Sequence, residues 1–189
     1  PQDTDLVVRL LKKHSEFFQS LQQTYPNPKL PEWTQLHIRL KEGATPWQAR
    51  SYPLSDYKRL KMREKIRFQL KTAMIRHSSS QYASPAFLVA KSGGDFRLVQ
   101  DMRLLNANIE KNCWPIPRID EIVDKMHGSK YYTSIDLADG FHQIGIDEDS
   151  RKYTAFITED GLYESNTLSM GLSVAPNWFQ YCMDRILGG

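Results

Sequence analysis

The sequence predicts an α+β fold with a mostly antiparallel sheet and flanking helices. Three observations lead there. Apolar residues recur at helical spacing in some stretches and alternate or run continuously over four or five residues in others. The two kinds of stretch are interleaved along the chain. Strand-like runs are separated by Gly, Asp and Ser clusters, which favour hairpins. With 40% hydrophobic and 11% aromatic residues in 189, the chain is neither disordered nor too small for a core. Its longest apolar runs, such as 86–90, are too short to span a bilayer, and no signal-peptide pattern opens the chain. Two cysteines, Cys113 and Cys182, exclude a disulfide scaffold and a four-cysteine zinc site, and they favour an intracellular setting.

The elements follow in order. Thr4 and Asp5 can start a helix with Leu6, Leu10, Phe17 and Leu21 on one face. It should stop before Tyr25-Pro26-Asn27-Pro28. Residues 31–53 read as an irregular arm, with a short strand at His37 to Leu40 and a turn at Glu42 to Pro46. Ser55 and Asp56 can cap a second helix. Met62, Ile66, Leu70 and Ala73 supply its apolar face, and residues 77–80 end it. Ala86 to Ala90 and Phe96 to Val99 form a hairpin around Ser92-Gly93-Gly94-Asp95. A loop holding Pro115 and Pro117 precedes a short amphipathic helix of Ile119, Ile122, Val123 and Met126. Strands are expected at Tyr131 to Leu137, Gln143 to Asp147 and Tyr153 to Thr158. A last helix begins near Ser173, with Pro176 in its first turn and Trp178, Phe179, Cys182, Ile186 and Leu187 as its apolar positions.

A net charge of +3 hides an asymmetry. Residues 58–76 hold eight basic side chains and one acidic, whereas residues 135–189 hold three basic and nine acidic. Such a split suits a protein that holds a polyanion at one place and a divalent cation at another; it equally suits a solvated helix face beside an ordinary acidic surface. Three places could carry chemistry. Asp136, at the end of an expected strand, could ligate a hard cation or simply cap a turn. Lys91 and Arg97, flanking a glycine turn, could hold phosphates or be solvated. Asp147, Glu148 and Asp149 beside Arg151 and Lys152 read as a turn with a surface ion pair. The five histidines show no zinc-binding spacing.

A series of motifs then narrows the reading. Arg76-His-Ser-Ser-Ser80 with Tyr82-Ala-Ser-Pro85 comes first. Phe96-Arg-Leu-Val-Gln-Asp101-Met-Arg103-Leu-Leu-Asn106 and Trp114-Pro-Ile-Pro-Arg118-Ile-Asp120 follow. Ser134-Ile-Asp136-Leu-Ala-Asp-Gly140-Phe-His-Gln-Ile144, Lys152-Tyr-Thr-Ala-Phe156 and Gly171-Leu-Ser-Val-Ala-Pro176 complete it. In this order and at this spacing they resemble the reverse transcriptases of LTR retrotransposons, the gypsy type above all. Upstream, Leu36 to Leu40 and Tyr52 to Ser55 resemble the family's lead-in arm, so the likeness covers nearly the whole chain.

The resemblance implies the fingers and partial palm of a right-hand polymerase. Residues 1–53 would be a helix and extended arm, 54–130 the fingers, and 131–189 a partial palm. DNA synthesis by this family is nucleotidyl transfer by two Mg²⁺ ions. Asp136 matches the first catalytic aspartate and a metal ligand. Lys91 and Arg97 match residues that contact the triphosphate of a dNTP. Asp139 matches a position whose backbone lies near that triphosphate. Phe141 matches the bulky residue that rejects a 2′-hydroxyl. Met170 stands where a Phe or Gln packs beside the nucleotide, a departure from the family's M-P-F-G in Leu168-Ser169-Met170-Gly171. A larger departure is the lack of the paired aspartates of the Y-x-D-D hairpin in these 189 residues. The implied partners are an RNA/DNA template-primer, dNTP, and the rest of a polymerase or another protein at an exposed palm edge, with no membrane. The implied location is cytoplasmic, particle-associated, or nuclear. An alternative is a non-enzymatic nucleic-acid-binding or scaffold module. In it Lys58, Arg59, Lys61, Arg63, Lys65, Arg67 and Lys71 would touch phosphates without reading sequence. The chain alone is expected to lack polymerase activity.

Overall fold

The computed structural model describes residues 2–13, 15, 25–111, 114–134 and 136–188. Helix α1 (Gln2–Lys13) forms as expected, but Leu6 and Leu10 are both exposed; Phe17 and Leu21 lie outside the described residues. Helix α2 (Asp56–Lys71) buries Met62 and Ile66 and follows Ser55, whose hydroxyl makes no capping bond. It ends earlier than its apolar periodicity suggests. Thr72 takes the C-cap and its hydroxyl bonds back to the Phe68 carbonyl at 2.9 Å. Ala73 then turns left-handed, φ +57°, so it lies outside the helix. Residues 77–80 are expected to end the helix; instead the chain leaves it earlier and forms a strand, β1 (Ile75–His77), where Ile75 pairs with Ser165.

The remaining strands are β2 (Ser84–Ala90), β3 (Phe96–Gln100), β4 (Phe156–Thr158) and β5 (Gly161–Ser165). Their order in the sheet is β1-β5-β4-β2-β3. Three pairings are antiparallel, and β2 runs parallel to β4 through Ser84↔Phe156. The sheet is therefore mixed. The β2–β3 hairpin matches the sequence reading, with Phe87 opposite Val99 and Val89 opposite Arg97. Gly93 and Gly94 turn it at φ +105° and +82°, and a Cβ on either would meet nothing within 4 Å. Their requirement is conformational rather than steric.

Short helices α3 (Arg103–Asn108), α4 (Ile119–Met126), α5 (Gly140–Gln143) and α6 (Glu148–Arg151) lie between the strands, and α7 (Ala175–Leu187) follows β5. Helix α3 was not anticipated; it carries the fully buried Leu105. Several expected strands are absent or shorter. The described residues of 131–137 form no strand and are all exposed; a strand needs a partner to satisfy its backbone, and no described residue pairs with them. Gln143 ends α5, and only Gly145 and Ile146 make single bridges, to Thr167 and Leu36. Residues Lys152–Thr154 coil into a 3₁₀ turn, which delays β4 to Phe156. His37 to Leu40 contributes one bridge, Leu40 to Ile109. Helix α7 starts after Val174 rather than Ser173, with proline in its first turn.

Two apolar clusters hold these elements. One lies under the sheet and α2, with Tyr25, Met62, Ile66, Met74, Ile75, Leu88, Phe156 and Tyr163. The other gathers the arm, the loops and α7 around Leu36, Leu105, Ile109, Ile144, Ile146, Leu168, Leu172 and Cys182. Asn166 ties them together: it donates its side-chain amide to the Ala73 carbonyl and its backbone N–H to Met74 O, each at 2.9 Å, and accepts from the Ile146 N–H at 2.8 Å.

Candidate nucleotide site

The turn 136–141 carries three of the residues singled out in the sequence. Asp136 is exposed on an unpaired stretch. Asp139 precedes α5 in the left-handed region, φ +48°. Asp is among the few non-glycine residues that visit this conformation, although its side chain makes no cap bond to α5 here. Its carboxylate accepts a hydrogen bond from the Tyr25 hydroxyl at 2.9 Å. Phe141 is half-buried, its ring 5.2 Å from that of Phe179 on α7. A Cβ at Gly140 would meet the Phe179 ring at 3.1 Å, so a larger residue there would push that ring by a few tenths of an ångström.

Behind the turn sits His142, its Nδ1 3.0 Å from the Thr167 hydroxyl. Burial holds its imidazole below the ordinary range, against the opposing pull of Asp139. Its ring meets the Tyr25 ring edge-on at 6.1 Å. Cys182 is buried as well, and desolvation pushes its thiol up to about 11. It is an inert packing residue.

The loop holding Met170 is anchored by a residue that the sequence reading did not single out. Asn106 on α3 donates to the Gly171 carbonyl at 2.8 Å and accepts from the Ser173 N–H at 2.8 Å. Its place in the Phe96–Asn106 motif was the available signal. Met170 itself is 57% exposed. Beside this loop an open groove of about 700 Å³ is lined by Tyr52, Phe87, Val99, Asp101, Arg103 and Gly171, among others. Arg103 grips Asp101 with two nitrogens, Nη2 to Oδ2 at 2.6 Å, and holds that carboxyl below the usual carboxylate range.

The seven basic residues of α2 divide. Arg59 pairs with Glu159 and Asp56, Lys61 with Glu64, Arg63 with Asp160 and Lys65 with Asp95. The Arg63 guanidinium depresses the Asp160 carboxyl, and the Lys65 ammonium does the same to Asp95. Lys58, Arg67 and Lys71 are exposed and make no ion pair among the described residues. The same holds for Lys91 and Arg97 on the hairpin. Near the acidic run, Asp147 caps α6 through the N–H groups of Asp149 and Ser150, and Arg151 pairs with Glu148 at 2.8 Å. That reading of a turn with an ion pair matches the structure.

No group of three or more His, Cys, Asp or Glu side chains able to hold a metal exists among the described residues. Asp136 offers one carboxylate, which does not fit a metal ion on its own. No helix among the described residues is long and apolar enough to cross a membrane.

Comparison with known proteins gives a consistent picture. Residues 89–189 match the sequence profile of the reverse transcriptase (RNA-dependent DNA polymerase) family. The chain is 40% identical over 156 residues to the retrovirus-related Pol polyprotein from transposon 297 of Drosophila melanogaster, covering 80% of this chain and 15% of that protein. Against the transposon Tf2-7 polyprotein of Schizosaccharomyces pombe it is 32% identical over 161 residues, 85% of this chain and 12% of the other. The chain thus spans less than a sixth of the length of these relatives. Two solved structures share the fold. The foamy viral protease-reverse transcriptase, in complex with an RNA/DNA hybrid, superposes with a TM-score of 0.82 at 23% identity, over 99% of this chain and 25% of that one. The native prototype foamy virus enzyme gives 0.79 at 23%, over 100% and 25%.

Proposed function

The chain belongs to the reverse transcriptase family of LTR retrotransposons, and on that premise we propose that it supplies the fingers and first palm segment of a gypsy-type polymerase. In this reading residues 54–130 are the fingers, 131–189 a partial palm and 1–53 the arm that leads in. The hairpin β2–β3 reaches toward the triphosphate of an incoming dNTP with Lys91 and Arg97. The observation that carries the reading is that these two cations are exposed and pair with no carboxylate among the described residues, while four of the seven on α2 are paired. A guanidinium left free on a rigid hairpin suits bidentate phosphate contact. Asp139 presents its backbone to the same triphosphate, Phe141 rejects a 2′-hydroxyl by its bulk, and Met170 lies alongside the nucleotide.

Asp136 is one of the carboxylates that a pair of Mg²⁺ ions needs, and the others are not among the described residues. By itself the chain is expected to bind a nucleotide weakly and to extend no primer. A titration of the purified chain with dNTP, followed by NMR, tests the reading. Shifts at Lys91, Arg97 and the 139–141 turn, lost in Arg97→Ala, support it. Shifts elsewhere, or none, overturn it, and template-dependent primer extension by the chain alone overturns the expected inactivity.

A second reading rests on Lys58, Arg67 and Lys71, the unpaired cations of α2. They fit a surface that meets the phosphates of an RNA or DNA template-primer, and the foamy viral enzyme was solved with such a hybrid. Three contacts give a slope of about −3 for log affinity against log salt on a duplex, whereas all seven basic residues would give about −6. A slope near −6 would mean that the ion pairs of α2 open on binding.

A further inference from the structure

Tyr25 joins the two halves of the molecule at one point. Its ring lies in the cluster under the sheet with Met62, Ile66 and Met74, and it is only 4% exposed. Its backbone N–H donates to the Thr72 carbonyl at 3.1 Å, just past the end of α2. Its hydroxyl reaches out of that cluster to the Asp139 carboxylate. Two residues on, Asn27 N–H donates to the Gln143 carbonyl at 2.9 Å, and the Gln143 side-chain amide returns to the Ala138 carbonyl at 2.9 Å. The arm therefore grips both ends of the stretch 138–143, while every described residue from Trp114 to Asp139 is exposed.

The left-handed Asp139 makes the grip matter. A non-glycine residue in that region is disfavoured and persists when its surroundings hold it. The Tyr25 hydroxyl donates to this carboxylate, and His142 meets the Tyr25 ring edge-on at 6.1 Å. Chain direction from Asp136 into Phe141 passes through this residue.

We propose that Tyr25 is a positioning residue for the nucleotide site: its hydrogen bond to Asp139 fixes the turn that presents Asp136 and the Phe141 ring. The inference rests on reading that turn as the nucleotide site. It places a determinant of sugar selection in the arm, more than a hundred positions from the residue that would meet the sugar.

Amide hydrogen exchange of the full chain tests it, with nucleotide titration as a separate arm. Tyr25→Phe keeps the ring and removes only the hydroxyl. A hydrogen bond to a charged group is worth enough to speed exchange at Gly140 to Gln143 about tenfold, with Ile146 and Leu168 unchanged. Asp139→Ala, which loses the acceptor and also the tolerance of the left-handed turn, should give at least that rise, and Tyr25→Phe added to it should give no more. Asp139→Asn keeps an accepting oxygen and tolerance of the left-handed turn, so it should restore protection. Unchanged exchange at 140–143, a uniform rise across the chain, or additive effects would overturn the positioning role. In the other arm, dNTP-induced shifts of the Phe141 ring should weaken in Tyr25→Phe and recover in Asp139→Asn on the wild-type Tyr25 background. Wild type without such shifts, but with the exchange pattern intact, overturns the nucleotide reading alone.

Discussion

Two stretches with similar apolar content have opposite fates. Between Ile144 and Leu172 the apolar residues Ile144, Ile146, Phe156 and Leu168 are completely buried. Between Trp114 and Leu137, Ile119 is 81% exposed, Val123 58% and Tyr131 81%. Helix α4 has the apolar spacing of a core helix and buries nothing. The first stretch crosses the sheet and the arm, and its backbone is bonded to Leu36, Met74 and Asn166. The second is fixed by Trp114, which bonds to Asp184 and Asn177 on α7, and next by the Tyr25–Asp139 contact. Amphipathic spacing thus creates an element, but a facing partner decides whether it is buried. Asp136 lies in the loosely held stretch, whereas Phe141 lies where the packed one begins.

Hydrogen exchange should show the largest contrast. An isolated eight-residue helix is marginal in water, so amides of α4 should exchange close to the unfolded rate. Those of Ile146 and Leu168 should be protected at least about a thousandfold. Equal protection would break the comparison. Truncation comes next: Ile146→Ala should cost about 3 kcal/mol in urea denaturation, and Ile122→Ala less than about 0.5 kcal/mol. Ion pairs sharpen the point. Glu164 is nearly buried and bonded to Arg76 and Ser78, so Glu164→Ala should cost roughly 2–3 kcal/mol by stranding its partners. Asp120, exposed beside an exposed Arg118, should cost less than about 0.5 kcal/mol on the same change.

The smallest effect is a pH slope. Burial keeps His142 neutral in the fold, with its pKa below the ordinary value near 6.5. The unfolded chain then takes up a proton that the folded chain refuses. Stability should be full above that value and decline as pH falls below it, until His142 itself protonates. Replacement by Gln should flatten the slope that sets in as pH falls below about 6.5, read from the urea midpoint at each pH. A slope unchanged in the variant would assign it to another group.

Much of the fold was legible in the sequence, for local reasons. The β2–β3 hairpin follows from two glycines between strand-like runs, α2 from Met62 and Ile66 one turn apart, and α7 from Pro176. What failed depended on distant partners. The described residues of 131–137 have strand composition but pair with no described strand. Ile75 reads as a helix end until Ser165 is known to lie beside it. Of the candidate site, the motif residues could be named from order and spacing. The Tyr25–Asp139 and Asn106–Gly171 contacts could not, because no periodicity links an arm to a turn so far along the chain.

The sheet order has a consequence for how the protein is made. Strand β1 skips its neighbour in sequence and pairs with β5, as Arg76 and Glu164, 88 positions apart, record. During synthesis the β2–β3 hairpin can close early, but β1 must wait, with Ile75 unpaired, until β5 has emerged. A nascent chain halted before Ser165 holds a hairpin, a basic helix and an open sheet edge. The order of strands therefore sets a minimum length of chain below which aggregation competes with folding, whatever the local propensities upstream.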